Sequence, residues 1–179
     1  MSIVDDAGRV VSMTTTVEYL LGSEMMAKGF ILNNELTDFS FVPEQNGKKV
    51  ANAPAPGKRP MSSMAPTIVF DKNGKFLMAV GSPGGPAIIP YVANTLIAML
   101  DGGYDPKRAV ALPHPVIANG PLSLEKSPAL DALAGQLAAM GYDVRTATSE
   151  VSGLHIIERV DGGYSGAADP RREGVAIGD

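Results

Sequence analysis

The spacing of apolar residues changes from a strand-like to a helical pattern between residues 67 and 100. Two short runs rich in β-branched and aromatic residues, 67–70 and 75–80, flank an Asn-Gly turn and predict a β-hairpin. From residue 87 onward the apolar side chains recur every three or four positions, which predicts a helix. Pro86 suits the first turn of that helix, because its missing N–H group leaves no hydrogen bond unmade there.

Gly84 and Gly85 lie between the second strand and the helix. Unobstructed N–H groups at the start of a helix can bind an anion or stabilise a developing oxyanion. A tight strand-to-helix turn also needs glycine simply for its φ angles. The turn alone therefore leaves both interpretations open.

Patterns of the same kind predict the other elements. They are hairpins over 2–17 and 154–167, helices over 105–111 and 129–140, and strands at 30–32, 116–117, 122–125 and 143–145. Residues 43–60 hold four prolines and predict a long loop. Because the strands occur in hairpins with the helices grouped between them, the order favours an α+β fold with an antiparallel sheet over alternating βαβ units.

The composition is that of an ordinary globular protein. The 179 residues, 45% hydrophobic and 19% charged, predict a single domain over 1–179. A net charge of -4 and a pI near 5.2 argue against nucleic acid as the main partner. The sequence has no cysteine, which excludes disulfides and thiolate chemistry. No apolar run approaches the length of a membrane span.

Common catalytic motifs fit the sequence poorly. The only two histidines are His114, between prolines, and His155, in an apolar strand, and there is no H-x-x-x-H pair. Ser82 is not in a G-x-S-x-G elbow, because Val80 occupies the first glycine position. A serine triad is therefore disfavoured, and no metal site is expected.

Three short polar sets could carry chemistry, and each also has a plainer explanation. Ser62 and Ser63 could bind a carboxylate, although serines before a strand also make turn hydrogen bonds. Glu35 and Asp38 could hold an ammonium group, although solvation alone accounts for carboxylates on a polar loop. The first and last threonines of 14–16 would share one face of a strand, although threonine is common in strands.

Taken together, these sets resemble the small-subunit half of γ-glutamyltranspeptidases, which are enzymes of the N-terminal-nucleophile hydrolase superfamily. The matching pieces occur in family order along nearly the whole chain. They are 5–8 (Asp-Asp-Ala-Gly), 14–16 (Thr-Thr-Thr), 32–35 (Leu-Asn-Asn-Glu), 37–40 (Thr-Asp-Phe-Ser), 58–67, 81–85 (Gly-Ser-Pro-Gly-Gly) and 168–171 (Ala-Asp-Pro-Arg). The combination of Pro-x-Ser-Ser-Met with Gly-Ser-Pro-Gly-Gly is highly specific.

The resemblance implies half of a four-layer αββα sandwich from a precursor that cuts itself in two. The new N-terminal threonine would become the nucleophile, with its own α-amino group as the base. Gly84 and Gly85 would supply the N–H groups of an oxyanion hole. Ser62 and Ser63 would bind the α-carboxylate of the substrate.

Three further positions gain a role from the same resemblance. Glu35 and Asp38 would bind the α-ammonium group of the substrate, and Thr16 would donate a hydrogen bond to the hydroxyl of the nucleophile. Glu18 stands where many family members carry asparagine. This change adds a negative charge beside the ammonium site, so Glu18 joins the candidate substrate-binding residues.

The start of the family's catalytic half, Thr-Thr-His-x-Ser, is only partly present. Ser2 matches its final serine. The nucleophilic threonine stands four residues earlier in the motif, and four residues of strand span about 13 Å, so Ser2 cannot replace the nucleophile. We therefore expect this chain to be the C-terminal part of a larger precursor and to be inactive by itself. The expected partner is the large-subunit half, without which exposed apolar surface predicts self-association.

The resemblance implies transfer of a γ-glutamyl group from glutathione-like donors to water, amino acids or peptides through an acyl-threonine. It implies no metal or organic cofactor, and a periplasmic or secreted location. Two alternatives stay open. One is a related acylase acting on glutaryl-type side chains of cephalosporins, which would have less need for Glu35 and Asp38. The other is a non-catalytic module whose glycine turn binds an anion.

Overall fold

The computed structural model describes residues 1–118, 120–147 and 151–178. The chain forms two compact units, a main unit of Met1–Thr14 with Ser63–Asp179 and an inserted unit of Thr15–Ser62. The single domain expected over 1–179 stays a prediction.

The strands are β1 (Ser2–Val4), β2 (Val10–Ser12), β3 (Met26–Ala27), β4 (Phe30–Ile31), β5 (Glu44–Gln45), β6 (Lys48–Lys49), β7 (Thr67–Phe70), β8 (Phe76–Gly81), β9 (Pro115–Val116), β10 (Leu122–Glu125), β11 (Val144–Ala147), β12 (His155–Val160) and β13 (Gly163–Ala168). The α-helices are α1 (Ile88–Leu100), α2 (Pro106–Val110) and α3 (Pro128–Ala139).

An antiparallel sheet with the order β13-β12-β8-β7 forms the centre of the main unit. Two predicted hairpins, β7–β8 and β12–β13, build it, and β8 pairs with β12 so that Gly81 lies opposite His155. Met78, Ala79 and Val80 of β8 are at most 1% exposed. Because successive side chains of a strand point to opposite faces, β8 is buried on both sides.

Helix α1 packs on one face of this sheet, as its apolar spacing predicts. Its buried residues are Ile88, Tyr91, Val92, Thr95 and Met99. Four of these join Met78 and Val80 in the larger of two buried apolar clusters. A 3₁₀ turn, Gly85–Ala87, precedes the helix and contains Pro86. In the described part of the chain, none of the helices is long and apolar enough to cross a membrane.

Strands β1 and β2 form an antiparallel hairpin that lies against β8 and β12. On its inner face the Ser12 hydroxyl donates a hydrogen bond of 3.1 Å to the Val80 carbonyl. Its outer face carries the apolar side chains of Met1, Ile3, Val11 and Met13, which are 40% to 52% exposed. The hairpin therefore joins the main unit through one face and leaves an apolar outer face.

The second sheet of the main unit has the order β11-β10-β9. β10 is antiparallel to β9 but parallel to β11, and α3 connects the parallel pair. This single βαβ unit is the exception to the antiparallel pairing that the sequence predicts for the sheets. Ser127 caps α3 by accepting a hydrogen bond from the Leu130 N–H group, and Leu130 packs on Leu122 and Leu124. A packed helix of this length returns the chain so that the next strand runs parallel.

The inserted unit contains two short hairpins that the sequence patterns did not predict, β3–β4 and β5–β6. Both turn on two residues with positive φ, Lys28 with Gly29 and Asn46 with Gly47. Lysine is an unusual first residue for such a turn, and the Asn-Gly pair is flanked by polar residues rather than by apolar strands. The region expected to be a loop over 43–60 therefore begins with a small hairpin.

Arg171 ties the C-terminal part of the main unit to α2 and β10. Its guanidinium donates two hydrogen bonds of 2.7 Å to the Glu125 carboxylate and one of 3.0 Å to Asp169. It also donates to the carbonyls of Val110 and Leu112, at 3.0 and 2.9 Å. Arg171 therefore satisfies carbonyl groups at the end of α2 that the helix itself leaves unpaired.

His114 is buried beside this cluster, with its ring 4.5 Å from that of Tyr91. The Ser152 hydroxyl donates its proton to Asp169 at 2.7 Å, so it can only accept from His114 Nε2, which lies 3.1 Å away. The imidazole is therefore the neutral Nε2–H form. Burial, followed by the positive charge of Arg171, lowers the pKa of His114 to about 4.

We expect the chain to lose stability through His114 as the pH falls from 6.5 to 4. An unfolded histidine binds a proton near pH 6.5, whereas folded His114 binds one only near pH 4. In this window the unfolded state holds more protons, so the free energy of unfolding falls with pH, by roughly 3 kcal/mol. Urea unfolding of the wild type and of His114→Asn, at pH 7 and pH 4.5, measures this loss.

The comparison isolates His114 because every other titrating group is present in both proteins. His155, whose pKa is also lowered to about 4, contributes a loss of the same sign in each of them. The variant should therefore show the smaller decrease. Equal decreases in the two proteins would contradict the assignment.

Candidate functional site

The glycine turn at the end of β8 presents two N–H groups. Gly84 has a φ of 137° and Gly85 a φ of 56°, values that are strained for other residues. Within the described residues, neither N–H group donates a hydrogen bond, whereas the Gly84 carbonyl accepts one of 3.2 Å from Ala87. Two open donors at the N-terminal end of α1 favour a negatively charged oxygen.

Buried contacts hold this turn in place. The Ser82 side chain, 0% exposed, donates to the Pro83 carbonyl at 2.7 Å and accepts from the Gly153 N–H group at 3.1 Å. Tyr91 lies directly behind Gly84, where an added Cβ would come within 2.6 Å of the ring. Gly84 is therefore required for space as well as for its φ angle.

Glu18, Glu35 and Asp38 come together in the inserted unit. One carboxylate oxygen from each lies within 4.8 Å of the others, and all three residues are half-buried. Burial, followed by the charges of Asp38 and Glu35, raises the pKa of Glu18. Because three carboxylates at this distance repel one another, the cluster favours a positively charged ligand. The sequence argument against a metal site overlooked this trio, whose oxygens could hold an inorganic cation as well as an ammonium group.

Asn34 fixes Glu18 beside the other two carboxylates. Its backbone N–H group donates to the Val17 carbonyl at 3.2 Å, and its side-chain oxygen accepts from the Tyr19 N–H group at 3.0 Å. These bonds flank Glu18, which is held at a φ of 76°. The 3₁₀ turn that carries the other two carboxylates begins at the next residue. The sequence marked Asn34 only as part of a matching motif and gave no sign of this positioning role.

The threonines do not occupy a strand, because β2 ends at Ser12. The prediction that Thr14 and Thr16 share one strand face is therefore wrong. The Thr16 hydroxyl oxygen accepts a hydrogen bond of 2.9 Å from the Glu18 N–H group. Such a bond to the nearby backbone competes with strand pairing. It also leaves the hydroxyl proton of Thr16 to donate to another group.

Ser62 and Ser63 lie where the inserted unit ends and the main unit resumes. Ser62 is exposed, and Ser63 is half-buried. Within the inserted unit, the Asn52 side chain accepts from the Met61 N–H group at 2.9 Å and donates to the Asp38 carbonyl at 2.6 Å. Asn52 therefore links the residue before Ser62 to the end of the acidic turn, a role that its sequence position did not indicate.

His114, Ser152 and Asp169 are the residue types of a serine triad, but they are not arranged as one. All three are at most 2% exposed, so a substrate cannot reach them. The Ser152 hydroxyl donates to Asp169 rather than to the imidazole, so the histidine does not activate it. These residues, like Ser82, support the fold.

A model of the gamma-glutamyltranspeptidase family matches residues 1–179. The chain is 39% identical over 183 residues to the glutathione hydrolase proenzyme of Bacillus subtilis (strain 168), an alignment that covers 99% of this chain and 30% of the relative. It therefore spans under a third of that relative's length.

Solved structures resemble most of the chain. A T380A mutant of Helicobacter pylori gamma-glutamyltranspeptidase matches with a TM-score of 0.84 and 34% identity, over 96% of this chain and 98% of the other. A cephalosporin acylase from Bacillus halodurans matches with a TM-score of 0.70 and 24% identity, over 82% of this chain and 27% of the other, and shows the fold alone. These matches confirm the family resemblance and the α+β fold.

We expect Asn34→Ala to release Glu18 from the acidic cluster and to return its pKa toward the ordinary value. The variant removes the side-chain oxygen that holds the Tyr19 N–H group beside Glu18. An NMR titration of the Glu18 carboxyl carbon measures the pKa. Asn73→Ala, in the β7–β8 turn, is the matched control and should leave it raised. An unchanged Glu18 pKa in Asn34→Ala would show that Asn34 does not position this residue.

Proposed function

The chain belongs to the gamma-glutamyltranspeptidase family, and we propose that it is the catalytic C-terminal part of a γ-glutamyl transferase and hydrolase. The proposed reaction moves the γ-glutamyl group of a glutathione-like donor to water or an amino acid. Because the chain spans 30% of the Bacillus subtilis relative, the activity is assigned to a longer precursor. That relative is a proenzyme, which supports a precursor for this chain as well.

The proposed nucleophile is a threonine that the precursor supplies, since the 179 residues contain no Thr-Thr-His sequence. Self-cleavage before this threonine frees its α-amino group to act as the base. Its hydroxyl oxygen then attacks the γ-carbonyl carbon, and the amine of the donor leaves with a proton. Water or an acceptor amine next attacks the acyl-threonine ester, the acyl–oxygen bond breaks, and the proton that the attacking group loses returns to the threonine oxygen. Thr16 would donate a hydrogen bond to the nucleophile's oxygen.

The acidic cluster is the observation that carries the choice of substrate. A γ-glutamyl group ends in an α-ammonium, which supplies the positive charge that Glu18, Glu35 and Asp38 together favour. The burial and the neighbouring charges of Asp38 and Glu35 that raise the pKa of Glu18 also make a positive charge favourable there. An ammonium group has only hydrogen-bond donors, so it would be held by the acceptor oxygens of these three side chains.

The family resemblance also implies roles for the other candidate residues. Ser62 and Ser63 would bind the α-carboxylate through their hydroxyl groups. Asn52 supports this role, because it holds the residue before Ser62 on the same turn that carries two of the carboxylates. The N–H groups of Gly84 and Gly85 would stabilise the oxyanion that forms on the γ-carbonyl oxygen.

The proposed partner is the remaining, large-subunit half of the precursor. The outer face of the β1–β2 hairpin supports this proposal, because its four apolar side chains are each 40% to 52% exposed. A sheet from the partner stacked on this face would bury them, as in an αββα sandwich. Self-association of the chain without its partner stays a prediction.

Two rival functions make different demands on the inserted unit. A glutaryl acylase would share the glycine turn but would bind an acyl group without an α-ammonium, so the carboxylates would have no ligand. A non-catalytic module would bind an anion at the glycine turn and would need no acidic cluster. The cluster therefore favours the γ-glutamyl substrate over both.

We expect the precursor to prefer γ-glutamyl-p-nitroanilide to glutaryl-p-nitroanilide, which differs only in lacking the α-ammonium group. Asp38→Asn and Glu35→Gln should raise KM for the first donor by about tenfold or more, the scale of a lost charge-assisted hydrogen bond, without raising it for the second. Glu44→Gln, an exposed acid of the same unit outside the cluster, is the matched control. Equal use of the two donors by the wild type would favour the acylase.

A further inference from the structure

His155 stands between the beginning of β1 and the end of β8. It begins β12, opposite Gly81, and it is half-buried. Its Nδ1 lies 2.8 Å from the Ser2 hydroxyl, and its Nε2 lies 3.0 Å from the backbone nitrogen of Met1. One imidazole therefore contacts the first two residues of the chain and the strand that leads into the glycine turn.

The protonation state of this imidazole follows from its neighbours. The Met1 nitrogen can only donate, so Nε2 must accept. The proton of the neutral ring is then on Nδ1, which donates to the Ser2 hydroxyl oxygen. Burial, followed by the positive charge of the Met1 nitrogen, lowers the pKa of His155 to about 4, in agreement with a neutral ring. In a longer chain the single Met1 amide N–H group would stay paired with the Met13 carbonyl, 2.6 Å away, so the contact with Ser2 is the one that the precursor keeps.

The space for the imidazole depends on Gly81. A Cβ added there would come within 2.7 Å of Cε1 and 2.8 Å of Nε2. The Thr14 hydroxyl lies on the same side, 3.6 Å from that Cβ position. It is buried and, within the described residues, has no hydrogen-bond partner. An unpaired hydroxyl at this place suits a segment of chain that enters β1 and supplies a polar group.

We propose that His155 is a positioning residue that fixes the entry of β1 against Gly81 and so aims the preceding nucleophile segment at the oxyanion turn. Gly81 is three residues from Gly84, so the imidazole fixes the entering chain close to the N–H groups that would receive the oxyanion. This inference rests on the proposed function. From the sequence alone, His155 was only a histidine within an apolar strand, with no role assigned to it.

Other contacts hold the hairpin independently of His155. Ser12 bonds the Val80 carbonyl, and the Met13 N–H group donates to the Met1 carbonyl at 2.9 Å. Loss of the imidazole should therefore leave β1 and β2 paired while the chain before them gains freedom. The expected defect is in the chemical step rather than in donor binding.

The test uses the precursor with His155→Phe, which keeps a ring but removes both nitrogens, and His155→Asn, whose side chain can still reach Ser2. With γ-glutamyl-p-nitroanilide as the donor, His155→Phe should lower kcat about tenfold. Such a decrease lies between the effect of losing one hydrogen bond and the larger effect of displacing a nucleophile by an ångström. KM should stay within about twofold. His155→Asn should restore most of kcat.

Ser2→Ala and Gly81→Ala test the same contact from its two sides. If Ser2 and His155 act through one hydrogen bond, Ser2→Ala combined with His155→Phe should lower kcat no further than His155→Phe alone. Gly81→Ala should lower kcat by displacing the ring. Gly163→Ala, at a strand glycine whose added Cβ would meet nothing within 4 Å, should leave kcat unchanged.

Each outcome bears on one claim. An inactive wild-type precursor overturns the proposed function, and the positioning role falls with it. An active wild type with an unchanged kcat in His155→Phe overturns the positioning role alone. If His155→Phe fails to fold, Ser2→Ala decides, because it removes the same hydrogen bond from its other side, and an unchanged kcat in Ser2→Ala would contradict the positioning role. Nitrogen NMR of the wild-type chain should show His155 with its proton on Nδ1, and a proton on Nε2 would also overturn the proposal.

Discussion

Close packing at the end of β8 is the constraint on which the main unit depends. The strand is buried on both faces, and neither its last residue, Gly81, nor Gly84 in the turn that follows leaves room for a side chain. At Gly81 the His155 ring occupies the space of a Cβ, and at Gly84 the Tyr91 ring does. Because protein interiors are packed to near crystal density, neither ring can move aside cheaply. The core of the sheet therefore sets the direction of the open N–H groups.

The inserted unit is organised by polar contacts rather than by a core. Both buried apolar clusters of the described residues lie in the main unit. In the inserted unit, the side chains of Asn34 and Asn52 bridge backbone segments around the acidic turn. An amide can accept and donate at once, so one asparagine can fix two segments. This arrangement holds three carboxylates close together, where a ligand of opposite charge would relieve their repulsion.

The sequence predicted the elements whose residues are patterned locally. The hairpins of the central sheet and helix α1 follow from alternation, turn residues and helical spacing, and all are present. The turn at Lys28 and Gly29, the parallel pairing of β10 with β11 and the bonds of Asn34 were missed. Each of these depends on contacts between distant segments, or on a residue in an uncommon conformation, which local patterns do not record.

The residues of the candidate site also divide into those that the sequence could indicate and those that only the fold reveals. The acidic pair, the serines and the glycine turn could be named from the resemblance. The meeting of Glu18 with that pair, the ring behind Gly84 and the contacts of His155 required the fold. The roles of these residues follow from neighbours that are far away in sequence, so no spacing rule could have found them.

The central claim is that this chain is the catalytic part of a precursor that cuts itself. The most direct measurement is the intact mass and N-terminal sequence of the protein expressed from a gene that encodes the chain together with its upstream half. We expect two chains, the smaller beginning with a threonine a few residues before Ser2. A single uncut chain would contradict it.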